Sequence, residues 1–138
     1  EAGRYTNFDN ATYTSRPEVL EELADGAFLD FSVGGVEEAA VLRIVSRAKD
    51  IGANVVIVAT PSMRTPLTTA LPNGASDFAA YDASIDRIAS ESDVPLIRYP
   101  DLDDRAELFA DVYHMNGAGT EVISERLRRD IAAMLAAP

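Results

Sequence analysis

Asp111 and His114 stand three residues apart, with Asn116 and Gly117 just beyond them, and their types suit proton transfer. His114 is the single histidine among 138 residues. An imidazole exchanges protons near neutral pH, which is what a general base requires. The base also needs a partner on its second nitrogen to fix the tautomer, and a carboxylate supplies it. Asp-x-x-His on one loop offers both groups together. Asn116 and Gly117 suit a turn into a following helix, and Gly119 suits close packing at that helix's start. Read structurally instead, His114 is a satisfied surface or core histidine and Asp111 a turn cap.

The elements that must position this loop follow from pattern. Ser15, Pro17 and Glu18 make a capping box with proline in the first turn, opening a short helix through Val19, Leu20 and Leu23 that Asp25 and Gly26 stop. Residues 27–31 are a short apolar run, expected to be a buried strand, with a turn over 32–35. Residues 36–51 carry a helical stripe of Val41, Ile44, Val45, Ala48 and Ile51, with Gly52 at C′. Residues 54–60 are apolar on both faces, as a central parallel strand would be. Three prolines and a glycine within 61–76 predict a long loop. Ser76 or Asp77 is expected to cap a helix whose stripe is Phe78, Tyr81, Ile85 and Ile88. Residues 94–98 read as a third strand, 101–109 as a solvated acidic loop, and about 118–135 as the final helix. Residues 4–14 alternate loosely, as a small hairpin or an ordered arm would.

Strands alternating with helices predict parallel pairing through helical crossovers. The working loops of such a sheet lie beyond the strands' carboxyl ends, which gathers 32–35, 61–71 and 101–119 at one edge. The chain reads as one domain, residues 1–138, with a 1–16 arm and a 17–138 α/β body.

The Asp111-x-x-His114 block with Asn116, Gly117 and a C-terminal helix resembles the last block of the SGNH (GDSL-type) hydrolase superfamily. The order of elements across residues 27–136 fits the C-terminal part of such a domain. It looks most like the branch of cell-envelope O-acetylation proteins and acylhydrolases. The resemblance implies a flavodoxin-like parallel sheet flanked by helices, apparently lacking its first strand block. It also implies a Ser-His-Asp mechanism with His114 as base and Asp111 as its orienting acid. No Gly-Asp-Ser occurs in this sequence, and no Gly-x-Asn-Asp block. The nucleophile is therefore expected from sequence outside this chain, on a second chain or a missing N-terminal segment that completes the sheet. Within the chain, Ser32 and Ser62 are the serines nearest the expected edge. Gly34 and Gly35 are candidate oxyanion donors, and Asn116 a candidate donor or support.

Composition narrows the classes. Net charge is −11 with 47% hydrophobic residues, so a packed core is affordable and a phosphate backbone is a poor partner. Cysteine is absent, which removes thiolate metal sites and thiol nucleophiles. One histidine cannot build a His-rich metal site, and no cofactor is implied. The expected activity is hydrolysis of an acyl ester, or acyl transfer to a carbohydrate hydroxyl. Two rivals stand beside it: a non-catalytic relative that binds a glycan or a protein, and an unrelated flavodoxin-like module. An extracytoplasmic or cell-envelope location follows from the resemblance alone.

Overall fold

The computed structural model describes residues 16–136. The expected 4–14 hairpin or arm and the Ser15 cap lie outside them. Among the described residues nine elements run in order: α1 (Pro17–Asp25), α2 (Gly35–Asp50), β1 (Ile57–Ala59), α3 (Arg64–Ala70), α4 (Ala75–Ser92), β2 (Leu96–Arg98), 3-10 turns at Pro100–Leu102 and Ala106–Leu108, and α5 (Gly117–Ala136). The architecture is mixed α/β and mostly helical, with a two-stranded parallel sheet. Ile57 pairs with Leu96, Val58 with Ile97 and Ala59 with Arg98. Residues 54–60 and 94–98 thus supply parallel partners, as expected, though only three residues of each are strand.

Three expectations are corrected. Residues 27–31 are a turn, not a strand. Their amides bond locally: Phe28 N–H donates to Leu23 O, and Phe31 N–H to Phe28 O. Phe28 and Phe31 meet edge to face at 6.1 Å, and Phe28 packs on the core. A five-residue apolar run carries no period that separates a strand from a packed turn. Residues 61–76 are not one loop, because α3 occupies 64–70. Its prolines mark the limits: Pro66 sits in the first turn, where an N–H has no intrahelical partner, and Pro72 holds Leu71 extended at φ −76°, ψ 141°. Finally, β1 stands at a sheet edge among the described residues, where the expectation put it inside.

Helix ends follow local chemistry. Gly52 takes φ +76° as the C′ residue of α2; its N–H donates to Lys49 O and that of Ala53 to Ala48 O, the Schellman pattern. Arg16 holds the N-cap position of α1. Gly74, rather than Ser76 or Asp77, precedes α4, while the buried Asp77 carboxylate accepts from Asn73 N–H and its side-chain amide. Lys49 Nζ donates to Ser92 O at the end of α4.

The core is built mainly from α1, α3 and the irregular stretch after β2. Leu20, Met63, Leu67 and Ala70 pack with Tyr99, Leu102, Leu108, Phe109 and Val112. The α2 stripe is only half used: Val45 is buried, whereas Ile44 is 67% and Ile51 84% exposed. Helix α2 packs on α4, and α1 on α3. Helix α5 packs on the second 3-10 turn. The Tyr99 hydroxyl donates to Asp130 Oδ2 at 2.8 Å, tying α5 to the end of β2.

Two stability predictions come from these contacts. A Cβ on Gly119 would lie 2.1 Å from Leu108 O, whereas one on Gly117 meets nothing within 4 Å. Gly119→Ala should therefore cost about 1–3 kcal/mol in urea unfolding, with Gly117→Ala near neutral. Equal effects would show that α5 does not approach the Leu108 backbone this closely. Burial, then donation to Asp130, pushes the Tyr99 hydroxyl up from 10.0 to about 12. Between those values the folded state keeps a proton that the unfolded chain has lost. That contribution is fully present below pH 10 and disappears as pH rises through 12. The gap in urea midpoint between wild type and Tyr99→Phe should close across that window; parallel curves would count against the buried phenol.

Candidate functional site

Asp111 and His114 occupy the bend between the second 3-10 turn and α5. Phe109 and Met115 form an antiparallel bridge across its base. Ala110 N–H donates to His114 O at 2.8 Å, and Asn116 N–H to Leu108 O at 3.0 Å. Phe109 is 0% and Val112 1% exposed, so two side chains inside the bend are anchored in the core. Met63 N–H donates to Val112 O at 2.8 Å, joining this bend to the loop that follows β1.

The bend holds its acid and base in register. Asp111 Oδ1 accepts from the N–H of Tyr113 at 2.9 Å and of His114 at 2.7 Å. Asp111 Oδ2 lies 2.6 Å from His114 Nδ1, the ring nitrogen nearer the backbone. The expected contact between the two side chains is present. With the proton on Nδ1, the ring donates to Asp111 and leaves Nε2 as an acceptor. Nε2 makes no hydrogen bond among the described residues, and the His114 side chain is 66% exposed.

Asn116 acts as support. Its Oδ1 accepts from Gly119 N–H at 3.0 Å, capping α5, and its Nδ2 donates to Glu107 O and Phe109 O. Both N–H bonds of the amide are used, so the side chain has no donor to offer an oxyanion. Gly34 and Gly35 open α2 with φ of +102° and +74°. Carboxylate oxygens of Glu38 and Glu37 stand 3.8 Å from where their Cβ atoms would lie, an adverse setting for a developing negative charge.

The two serines part company. Ser32 lines a cavity of about 560 Å³ with Gly34, Glu37 and Glu38. Neither Tyr113 nor His114 lines that cavity. Ser62 and Tyr113 instead line a common apolar cavity of about 310 Å³ at the carboxyl end of β1. The rings of Tyr113 and His114 lie 4.5 Å apart. The Ser62 hydroxyl makes no hydrogen bond among the described residues.

The acids expected to be solvated are what hold the Ser62 loop. Asp103 Oδ1 accepts from Ser62 N–H at 2.9 Å. Asp104 accepts from Thr65 N–H and Thr65 Oγ1, both at 2.9 Å, which caps α3 from a distant segment. Burial pushes the Asp103 carboxyl up, against the pull of Ser62 N–H and Arg64. Arg64 bridges Asp82 and Asp103 and lies over the Phe78 ring at 4.7 Å. A pair of acids beyond a strand gives no sequence sign of which loop it will cap. Tyr113 was likewise missed as a cavity wall, although its place beside His114 was a usable signal.

Compared with protein families, curated proteins and solved structures, this chain matches none.

The tautomer can be tested directly. Two-bond proton–nitrogen spectra of neutral His114 should show the proton on Nδ1. Asp111→Asn can keep an oxygen toward the Tyr113 and His114 amides while turning its NH₂ to the ring, which moves the proton to Nε2. An unchanged spectrum in Asp111→Asn would show that the carboxylate does not set the ring's state.

Proposed function

We propose that this chain supplies the acid–base half of a serine-dependent ester hydrolase or O-acyltransferase site in an SGNH-like, flavodoxin-like domain. The substrate class is an acyl ester, with a carbohydrate hydroxyl as the alcohol part or the acceptor. The observation that carries the reading is the Asp111–His114 pair: Nδ1 is held at 2.6 Å and Nε2 is unengaged. His114 Nε2 takes the proton as a serine oxygen attacks the acyl carbonyl. Collapse of the tetrahedral intermediate breaks the ester bond, and the leaving alkoxide receives that proton. Water or a sugar hydroxyl then attacks the acyl-serine, giving its proton to His114, and that proton passes to the serine oxygen as the acyl–serine bond breaks. Asp111 holds the imidazolium throughout.

The nucleophile in this reading comes on a strand that pairs with the outer edge of β1, from a second chain or another segment of the polypeptide. Two features support such a strand. The edge of β1 is unpaired among the described residues. Apolar side chains of α2, Val36, Val41 and Ile44, are exposed. A second reading makes Ser62 the nucleophile, because Ser62 shares a cavity with Tyr113 and its neighbour Met63 is bonded to Val112.

Hydrolysis of a short-chain aryl acetate, combined with a fluorophosphonate probe for activated serines, separates these readings. The isolated chain should turn over no faster than His114→Ala and take no label. In the protein from its native source, one serine outside residues 1–138 should be labelled in a His114-dependent way. Robust turnover by the isolated chain, lost in both His114→Ala and Ser62→Ala with label on Ser62, would establish the second reading. No labelled serine in either preparation would overturn both and leave a binding domain.

A further inference from the structure

We infer that the cavity beside Tyr113 is an alkyl site: it takes the unbranched hydrocarbon chain of an acyl group of roughly six to ten carbons, counting each methylene as filling about the 30 Å³ of one liquid water. The inference rests on the acyl-ester reading above, and it deepens that reading from esters in general to medium-chain esters. Three observations carry it. The first is size, about 310 Å³, several times what an acetyl group fills. The second is chemistry. Leu67 of α3, Leu71 just after it, Phe28 and Phe31 of the turn after α1, and Phe78 of α4 form its walls, and no Asp, Glu, Lys or Arg lines it. In a chain of net charge −11 an uncharged cavity stands out, since the cavity next to it is lined by Asp30, Glu37 and Glu38. The hydroxyl-bearing residues of the lining are Thr60, Ser62, Tyr81 and Tyr113, and the rest of it is apolar, which favours a hydrocarbon chain over a sugar ring with a hydroxyl on most of its carbons.

The third observation is position. The cavity lies where β1 ends, the place at which parallel α/β sheets gather their working loops. Tyr113 is both a cavity wall and the neighbour of the base, with its ring 4.5 Å from the His114 ring. A chain seated between Phe28 and Leu71 thus has one end beside Tyr113, with its carbonyl directed toward the His114 side of the cavity. The carbohydrate part of the ester stays outside, on the polar surface.

The test uses 1-ethanol-series alcohols as hydrocarbon probes, so that binding is read apart from catalysis. Methyl-labelled protein is titrated with 1-octanol, 1-butanol and ethanol, and shifts of the Leu67 and Leu71 methyls are followed. Octanol should shift them saturably, and each added methylene should tighten binding about fourfold at full burial. Ala27 and Thr60 lie on the cavity lining and are exposed, so a large side chain there fills the space with little risk to folding. Ala27→Trp, or Thr60→Trp as a second variant, should weaken octanol at least tenfold. His114→Ala should bind octanol as the wild type does. Absence of saturable shifts, equal affinity for butanol and octanol, or unchanged binding in both tryptophan variants would overturn the inference. Octanol binding without any labelled serine would retain the alkyl site and reject the esterase reading; a labelled serine without octanol binding would do the reverse.

Discussion

The packing of an irregular segment into the core is the constraint on which the other features of this protein depend. Two strands of three residues cannot bury a core between them. The apolar centre therefore forms beyond β2, where Leu102 and Phe109 are fully buried and Val112 nearly so. A segment without regular structure can be buried only if its backbone polar groups find partners. Here Leu108 O, Phe109 O and Val112 O accept from Asn116 N–H, Asn116 Nδ2 and Met63 N–H. Asn116 is thus a cap for α5 and a brace for the bend at once.

The Asp111–His114 pair inherits its rigidity from that anchoring. Val112 faces inward, so its two neighbours are directed toward the surface. Asp111 then uses one oxygen to close the bend and the other to orient the ring. The same packing joins the second half of the site. Asp103 and Asp104, carried by the loop that leads into Phe109, fix the backbone of Ser62 and Thr65. The cavity between Ser62 and Tyr113 is thereby framed by segments tied to one core. This arrangement supports an acyl site beside a general base, the function proposed above.

Much of this was legible where a single local signal decided the outcome. The spacing of Asp111 and His114 led to the contact, because three residues on a tight bend bring a carboxylate to the ring. Gly52 marked the end of α2, since only a residue free to take positive φ closes a Schellman turn. The order of β1 and β2 and their parallel pairing followed from the helical crossover. Outcomes decided by tertiary partners were not legible. Residues 27–31 have strand-like composition, yet Phe28 finds its place in the core from a turn. Residues 61–76 looked too rich in proline for a helix, but α3 is capped by Asp104 from a segment 39 residues away. The stripe of α2 predicted burial that the described residues only partly provide, because periodicity identifies an apolar face and not what covers it.

Native-state hydrogen exchange reads the anchoring of the His114 bend most directly. The amides of Met63, Ala110, His114 and Asn116 should exchange as slowly as those in the middle of α5, because opening any of them requires Phe109 and Val112 to leave the core. The unpaired outer edge of β1 should exchange faster. Unprotected amides at Ala110, His114 and Asn116, beside slow exchange throughout Ile57–Ala59 and Leu96–Arg98, would contradict it: the sheet would then be the stable centre and the Asp111–His114 pair would sit on a loosely held loop.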